Sequence, residues 1–240
     1  MPSLSTQQKN KLPASCPVSP MQKEMLYACR HFPAKKGVYV IRIMVEYRDR
    51  LDVPAFWEAW KQLIEYHPIL RSAFVWDKKD EPEHQIRQEI DLDCVYFDYR
   101  KKTPDEQEVL LGKIKRKEVR KLFDLSKAPL MSMILVRFKD QDFRFFWSIH
   151  HLLVEERSFI NLLNEAYERY LAILSNKKFF PLPAPVFFEY VNWLADYSNK
   201  EERSFWRNKL KGFSPPLRFP FAINAPEHKI DKKAISDGSH

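Results

Sequence analysis

Two apolar runs lying close together, Leu130 to Phe138 and Phe143 to Ile149, set the tightest limit on what this chain can fold into. Each is apolar at odd and even positions alike. Strands made from them must be covered on both faces, as the central strands of a sheet with helices packed over it are. A helical pattern follows directly, with Phe159, Leu162, Leu163, Ala166, Tyr167, Tyr170, Leu171 and Leu174 recurring at i, i+3, i+4 intervals. Between the second strand and that helix stand His150 and His151, then Glu155 and Glu156. A strand end holds a side chain in a defined place, and a neutral imidazole near pH 7 can take a proton from an incoming nucleophile. The same pattern also fits a pair of core or rim histidines that do no chemistry.

The remaining elements can be placed from caps, breakers and periodicity. Ser19-Pro20 starts a helix, serine as N-cap and proline at the first helical position, with Met21, Met25, Leu26 and Cys29 as its apolar stripe. After Gly37, the alternation of Tyr39, Ile41, Ile43, Val45 and Tyr47 predicts a strand with one apolar face. Asp52 caps a helix that turns Phe56, Trp60, Leu63 and Ile64 to a core and stops at His67-Pro68. Leu70 to Trp76 reads as a strand, with two shorter ones near Gln85 to Gln88 and Cys94 to Tyr99. Thr103-Pro104-Asp105-Glu106 is a capping box that opens a helix running to about Leu122. Beyond Pro181, Pro183 and Pro185, two helices are expected near 186–197 and 200–211. Residues 1–15 are expected to be loose and 214–240 to be a linker-like tail. This order of strands and helices indicates an α/β layered domain with a mixed sheet.

Composition excludes several function classes. The four glycines, Gly37, Gly112, Gly212 and Gly238, lie too far apart to build a phosphate cradle. A formal charge of +8 favours acidic partners. The densest basic stretch, Lys113 to Lys121, falls inside a helix without interleaved aromatics, so a solvated helix face is favoured over nucleic-acid binding. Cys16, Cys29 and Cys94 have neither metal-type spacing nor a reactive motif, and their odd number suits reduced thiols. A metal site at His150, His151 and Glu155 is disfavoured, because adjacent strand residues point to opposite faces and no third ligand has suitable spacing. The polar N-terminus is unlike a signal peptide, and no run of 18 apolar residues exists to cross a membrane. A cytoplasmic protein is expected.

Several stretches, taken in order, resemble the condensation domains of nonribosomal peptide synthetases, within the chloramphenicol-acetyltransferase-like acyltransferases. Ser19-Pro20-Met21-Gln22 looks like that family's opening S-P-M-Q-x-x-M/L, and His67-Pro68-Ile69-Leu70-Arg71-Ser72-Ala73-Phe74 is similar to its H-x-x-L-R-T-x-F. Phe123-Asp124-Leu125-Ser126-Lys127-Ala128-Pro129-Leu130 resembles F-D-L-x-x-x-P-L, and the histidines fall where the family has H-H-x-x-x-D-G. Phe188-Glu189-Tyr190-Val191-Asn192-Trp193 and Phe205-Trp206 resemble two later motifs.

The resemblance implies a chloramphenicol-acetyltransferase-like layered sandwich and amide formation between carrier-protein-bound substrates. No cofactor is then bound directly; the carrier's phosphopantetheine arm presents the substrate. His151, with His150 beside it, would be catalytic, and Arg71 would pair with the motif acid, here Glu155, to fix the active-site loop. Two departures stand out. The family domain has two similar halves around a reaction tunnel, and the resemblance covers the first half alone, over residues 16–213. The motif aspartate is Glu155, and the motif glycine is Glu156. If that glycine served a left-handed backbone, Glu156 would be strained. Impaired catalysis by this chain alone is expected, unless a second half-domain joins it. A non-catalytic module that docks a carrier protein or another partner is the rival reading.

Overall fold

A computed structural model of the chain describes residues 15–31, 38–76, 81–181, 187–197 and 199–213. The expected loose N-terminus, apart from Ser15, and the whole linker-like tail lie outside the described residues, as does Gly37. The elements are β1 (Ser15–Pro17), α1 (Pro20–His31), β2 (Val40–Tyr47), α2 (Val53–Tyr66), β3 (Ser72–Trp76), β4 (Pro82–Ile86), β5 (Cys94–Asp98), α3 (Pro104–Arg120), β6 (Met131–Lys139), β7 (Asp142–His150), α4 (Glu156–Leu174), α5 (Phe187–Asp196) and α6 (Lys200–Lys209). They form a mixed α/β architecture.

Four strands make the main sheet in the order β2-β7-β6-β5, antiparallel except for the parallel β5–β6 pair. The two apolar runs are its central strands. Met131 lies opposite Ile149, and Leu135 lies opposite Phe145. One face carries Met131, Met133, Leu135, Phe143, Phe145, Trp147 and Ile149, all fully buried against α2 and α4. Trp147 is central there, 4.8 Å from the Trp60 ring and stacked on Phe159 at 4.6 Å. The other face packs Ile134, Val136, Phe138 and Phe146 on Ile114 of α3. The double coverage that the sequence demanded is met by helices on either side. β2 obeys the predicted alternation: Ile41, Ile43, Val45 and Tyr47 join the first core, and Met44 joins the second.

Caps behave as their chemistry requires. The Asp52 carboxylate accepts from the Ala55 N–H, and Thr103 and Glu106 complete a reciprocal capping box. Three expectations shift. Pro68–Arg71 forms a 3-10 turn before β3, because Pro68 and the bond of Leu70 to His67 favour a tight turn over extension. β4 starts at Pro82, earlier than expected. In α4 the apolar pattern is wider than the buried face. Phe159, Leu162, Ala166 and Tyr170 are buried, whereas Tyr167, Leu171 and Leu174 are exposed.

A second, smaller sheet runs β1-β4-β3, all antiparallel. Buried in it, His84 stacks on Phe74, with its ring nitrogens at Cys16 Sγ (3.3 Å) and Ser72 Oγ (2.5 Å). The described residues from Tyr197 to Phe213 fall in a second unit, separate from the one that ends at Asp196. Its helix α6 has no buried residue and exposes the Phe205–Trp206 pair, whose rings meet edge to face.

Candidate functional site

The site is the turn that joins β7 to α4. Hydrogen bonding fixes its backbone on three sides. The His150 N–H donates to Leu130 O (2.9 Å), the His151 N–H to Tyr39 O (2.7 Å) and the Leu153 N–H to His150 O (3.0 Å). Tyr39 adopts φ = 60°, a left-handed conformation that a tyrosine tolerates only at a cost of order 1–3 kcal/mol. The bond from His151 accompanies that conformation and extends the β2–β7 ladder one residue past the strand.

The two histidines have different environments. His150 is 3% exposed. Its Nδ1 accepts from the Leu152 N–H at 3.1 Å, which places the ring proton on Nε2, where Cys29 Sγ lies 3.9 Å away. Burial, assisted by the neighbouring His151, lowers its pKa to about 4, so it is neutral at pH 7. His151 is half-buried, and among the described residues no group hydrogen-bonds its ring. It is therefore the imidazole that has nitrogens available to an incoming molecule, and His150 is the packed one behind it.

Arg71 and Glu155 do not meet, which corrects the expected loop-fixing ion pair. Arg71 is buried, and its guanidinium donates to Ile64 O, Arg87 O and Gln88 O, with a longer bond to Glu65 O. Its donors tie α2 to the segment after β4. Glu155 is exposed and is the N-cap of α4: its Oε1 accepts from the Ser158 N–H (2.9 Å) and hydroxyl (3.1 Å). The backbone N–H groups of Arg157 and Ser158 hold its carboxyl below the ordinary glutamate range. Its carboxylate thus lies at the start of the helix, where the dipole favours a negative charge. Glu156 is the first residue of α4, exposed, and is not among the described residues with positive φ. No left-handed strain exists there, and that expected cost is absent.

Helix α1 holds this turn, a feature missed in the sequence. Ser19 and Gln22 cap each other, Gln22 Oε1 accepting from the Ser19 N–H (3.0 Å) and the Gln22 N–H donating to Ser19 Oγ (3.2 Å). The S-x-x-Q spacing of that box was readable. What spacing could not give is the partner of the Gln22 amide nitrogen, which donates to Leu152 O at 2.9 Å, 130 positions away. Also missed was Glu118 of α3, buried beneath the sheet with its Oε2 accepting from Ser148 (2.7 Å) and Ser132 (3.4 Å), while its backbone carbonyl accepts from Arg42 Nε (2.7 Å).

Among the described residues no cluster of three or more His, Cys, Asp or Glu side chains could hold a metal ion. No described helix is long and apolar enough to cross a membrane.

Comparisons with known proteins agree on one family. The condensation-domain family model matches residues 14–236. The chain is 32% identical over 207 residues to a linear gramicidin synthase of Brevibacillus parabrevis, covering 86% of this chain and 4% of that protein. It is 26% identical over 198 residues to bacitracin synthase 3 of Bacillus licheniformis, covering 82% of this chain and 3% of that protein. Among solved structures, the starter condensation domain of rhizomide synthetase superposes with a TM-score of 0.76 at 17% identity, over 85% of this chain and 50% of that one. A mutant of that domain has been solved in complex with C8-CoA and Leu-SNAC. The chain thus spans half of the solved domain and a small fraction of each synthase.

Proposed function

Because this chain belongs to the condensation-domain family, we propose that it carries the histidine-bearing part of an amide-forming acyl-transfer site. The substrates are an acyl group and an amine, each borne as a thioester on the phosphopantetheine arm of a carrier protein. In the reaction the amine nitrogen attacks the acyl carbonyl, the C–N bond forms, the C–S bond breaks and the donor thiol leaves. The rhizomide domain's complex with C8-CoA and Leu-SNAC supports this substrate class.

The observation that carries the reading is the contrast between the two imidazoles. His151 has its backbone pinned to Tyr39 and no described group bonded to its ring, so it can receive or orient the amine. His150 is buried, neutral and committed to Leu152, which suits a support.

Full activity is proposed to need the second half of the domain, since this chain spans half of the solved domain it superposes on. The test is a turnover assay with acyl- and aminoacyl-loaded carriers, using the chain alone and with a second half supplied in trans. Amide formed in trans and lost in His151→Ala supports the proposal; no amide under either condition sinks it. A second reading, docking of an acidic carrier without chemistry, is favoured by the formal charge of +8. Carrier retention that weakens steeply with salt, with no amide formed in trans, would select it.

A further inference from the structure

We propose that Gln22 is a positioning residue for the histidine turn, setting the tautomer of His150 and through it the placement of His151. The role of His151 rests on the acyl-transfer reading above; the role of Gln22 toward His150 does not.

Leu152 is held through both of its backbone polar groups, which belong to successive peptide units. Its N–H donates to His150 Nδ1, and its carbonyl accepts from Gln22 Nε2. The Gln22 amide is itself oriented, because its oxygen takes the Ser19 N–H and so its nitrogen must face the turn. The side chain is 5% exposed, so neither end can be replaced by bulk water without opening the packing. One helical face supplies all the contacts. Gln22, the fully buried Leu26 and Cys29 lie on successive turns of α1, and Cys29 Sγ approaches His150 Nε2 from the far side. With Gln22 in place, the Leu152 N–H points at Nδ1, and the ring must carry its proton on Nε2. Without that amide donor the Leu152 carbonyl is left unpaired, the backbone at Leu152 can turn, Nδ1 loses its fixed donor, and the adjoining His151 loses its fixed aim. A shift of about 1 Å at a reacting group can cost on the order of a hundredfold in rate.

The test compares the wild-type chain with Gln22→Met, which keeps the length but cannot hydrogen-bond, and Gln22→Glu, which keeps the acceptor for Ser19 but loses the donor to Leu152. Side-chain nitrogen NMR of the histidines reads the tautomer directly and needs no turnover. A single Nε2–H form of His150 is expected in the wild type at pH 7, and a mixture of tautomers in both variants with the far-UV dichroism retained. An Nδ1–H form in the wild type, an unchanged Nε2–H form in the variants, or unfolding of both variants would overturn the proposal. Where the reconstituted domain turns over, kcat should fall about tenfold or more with KM unchanged; a change in KM alone would count against positioning. Absence of turnover in the wild type would defeat the acyl-transfer reading and leave the tautomer result standing.

Discussion

Single side chains in this protein show how burial sets protonation. His84 and His150 are both held neutral by desolvation, each with its pKa pushed down to about 4. The unfolded chain binds a proton on each at about pH 6.5, so stability is full above that pH and falls as pH drops toward 4. Each histidine should account for about 3 kcal/mol across that window. Urea unfolding at a series of pH values should show the slope, and His84→Gln should remove one proton's share of it. The sign is similar but the window lower for Glu155. Its depressed carboxyl stabilises the start of α4 at neutral pH, and that contribution disappears as pH falls through its folded pKa. Glu155→Ala should therefore lower Tm at pH 7, with an effect that shrinks as pH falls through that carboxyl's folded pKa. Arg71→Ala would leave buried carbonyls unpaired, at about 2–3 kcal/mol. Since Arg71 and Glu155 have no common partner, a double-mutant cycle on the pair should give no measurable coupling; clear coupling would mean the ion pair exists.

At the level of elements, the main sheet and the helices over it hold the histidine turn in place. Trp147 links β7 to α2 through Trp60 and to α4 through Phe159. Trp147→Ala should cost about 3–5 kcal/mol, seen as a fall in the urea midpoint at an unchanged slope. The seam between α2 and α4 is also polar, with Glu165 of α4 bonded to His67 at the end of α2 (2.7 Å) and to Arg169 (2.6 Å). Arg169 lies over the rings of Tyr66 and Phe179. The His67-Pro68 helix stop could be read in the sequence, because it follows from proline sterics. The hydrogen-bond partner of His67 could not, because Glu165 lies 98 positions away. The wide apolar pattern of α4 misled for a related reason: periodicity gives the direction of the helix face but not how far the core reaches around it.

At the scale of the whole molecule, the proposed need for a second half puts the limit on catalysis in the extent of the chain and not in the departures from the family motif. Glu156 has ordinary helical geometry and Glu155 is occupied as a cap, so Glu155→Asp with Glu156→Gly should not restore amide formation to this chain alone. A gain of tenfold or more in that variant would put the limit in the motif instead. The sequence by itself determined the doubly covered strands, the helix starts at Asp52 and Thr103, and the histidines at a strand end. Each of these follows from side-chain periodicity or from bonds spanning a few residues, and such local rules act wherever the segment lies. Only the tertiary structure decided that His150 is fully buried and His151 half-buried, that Arg71 bonds carbonyls and not Glu155, and that Gln22 grips the Leu152 carbonyl. Those outcomes depend on which distant groups share a small dry volume, where hydrogen bonds compete for geometry that no spacing along the chain encodes.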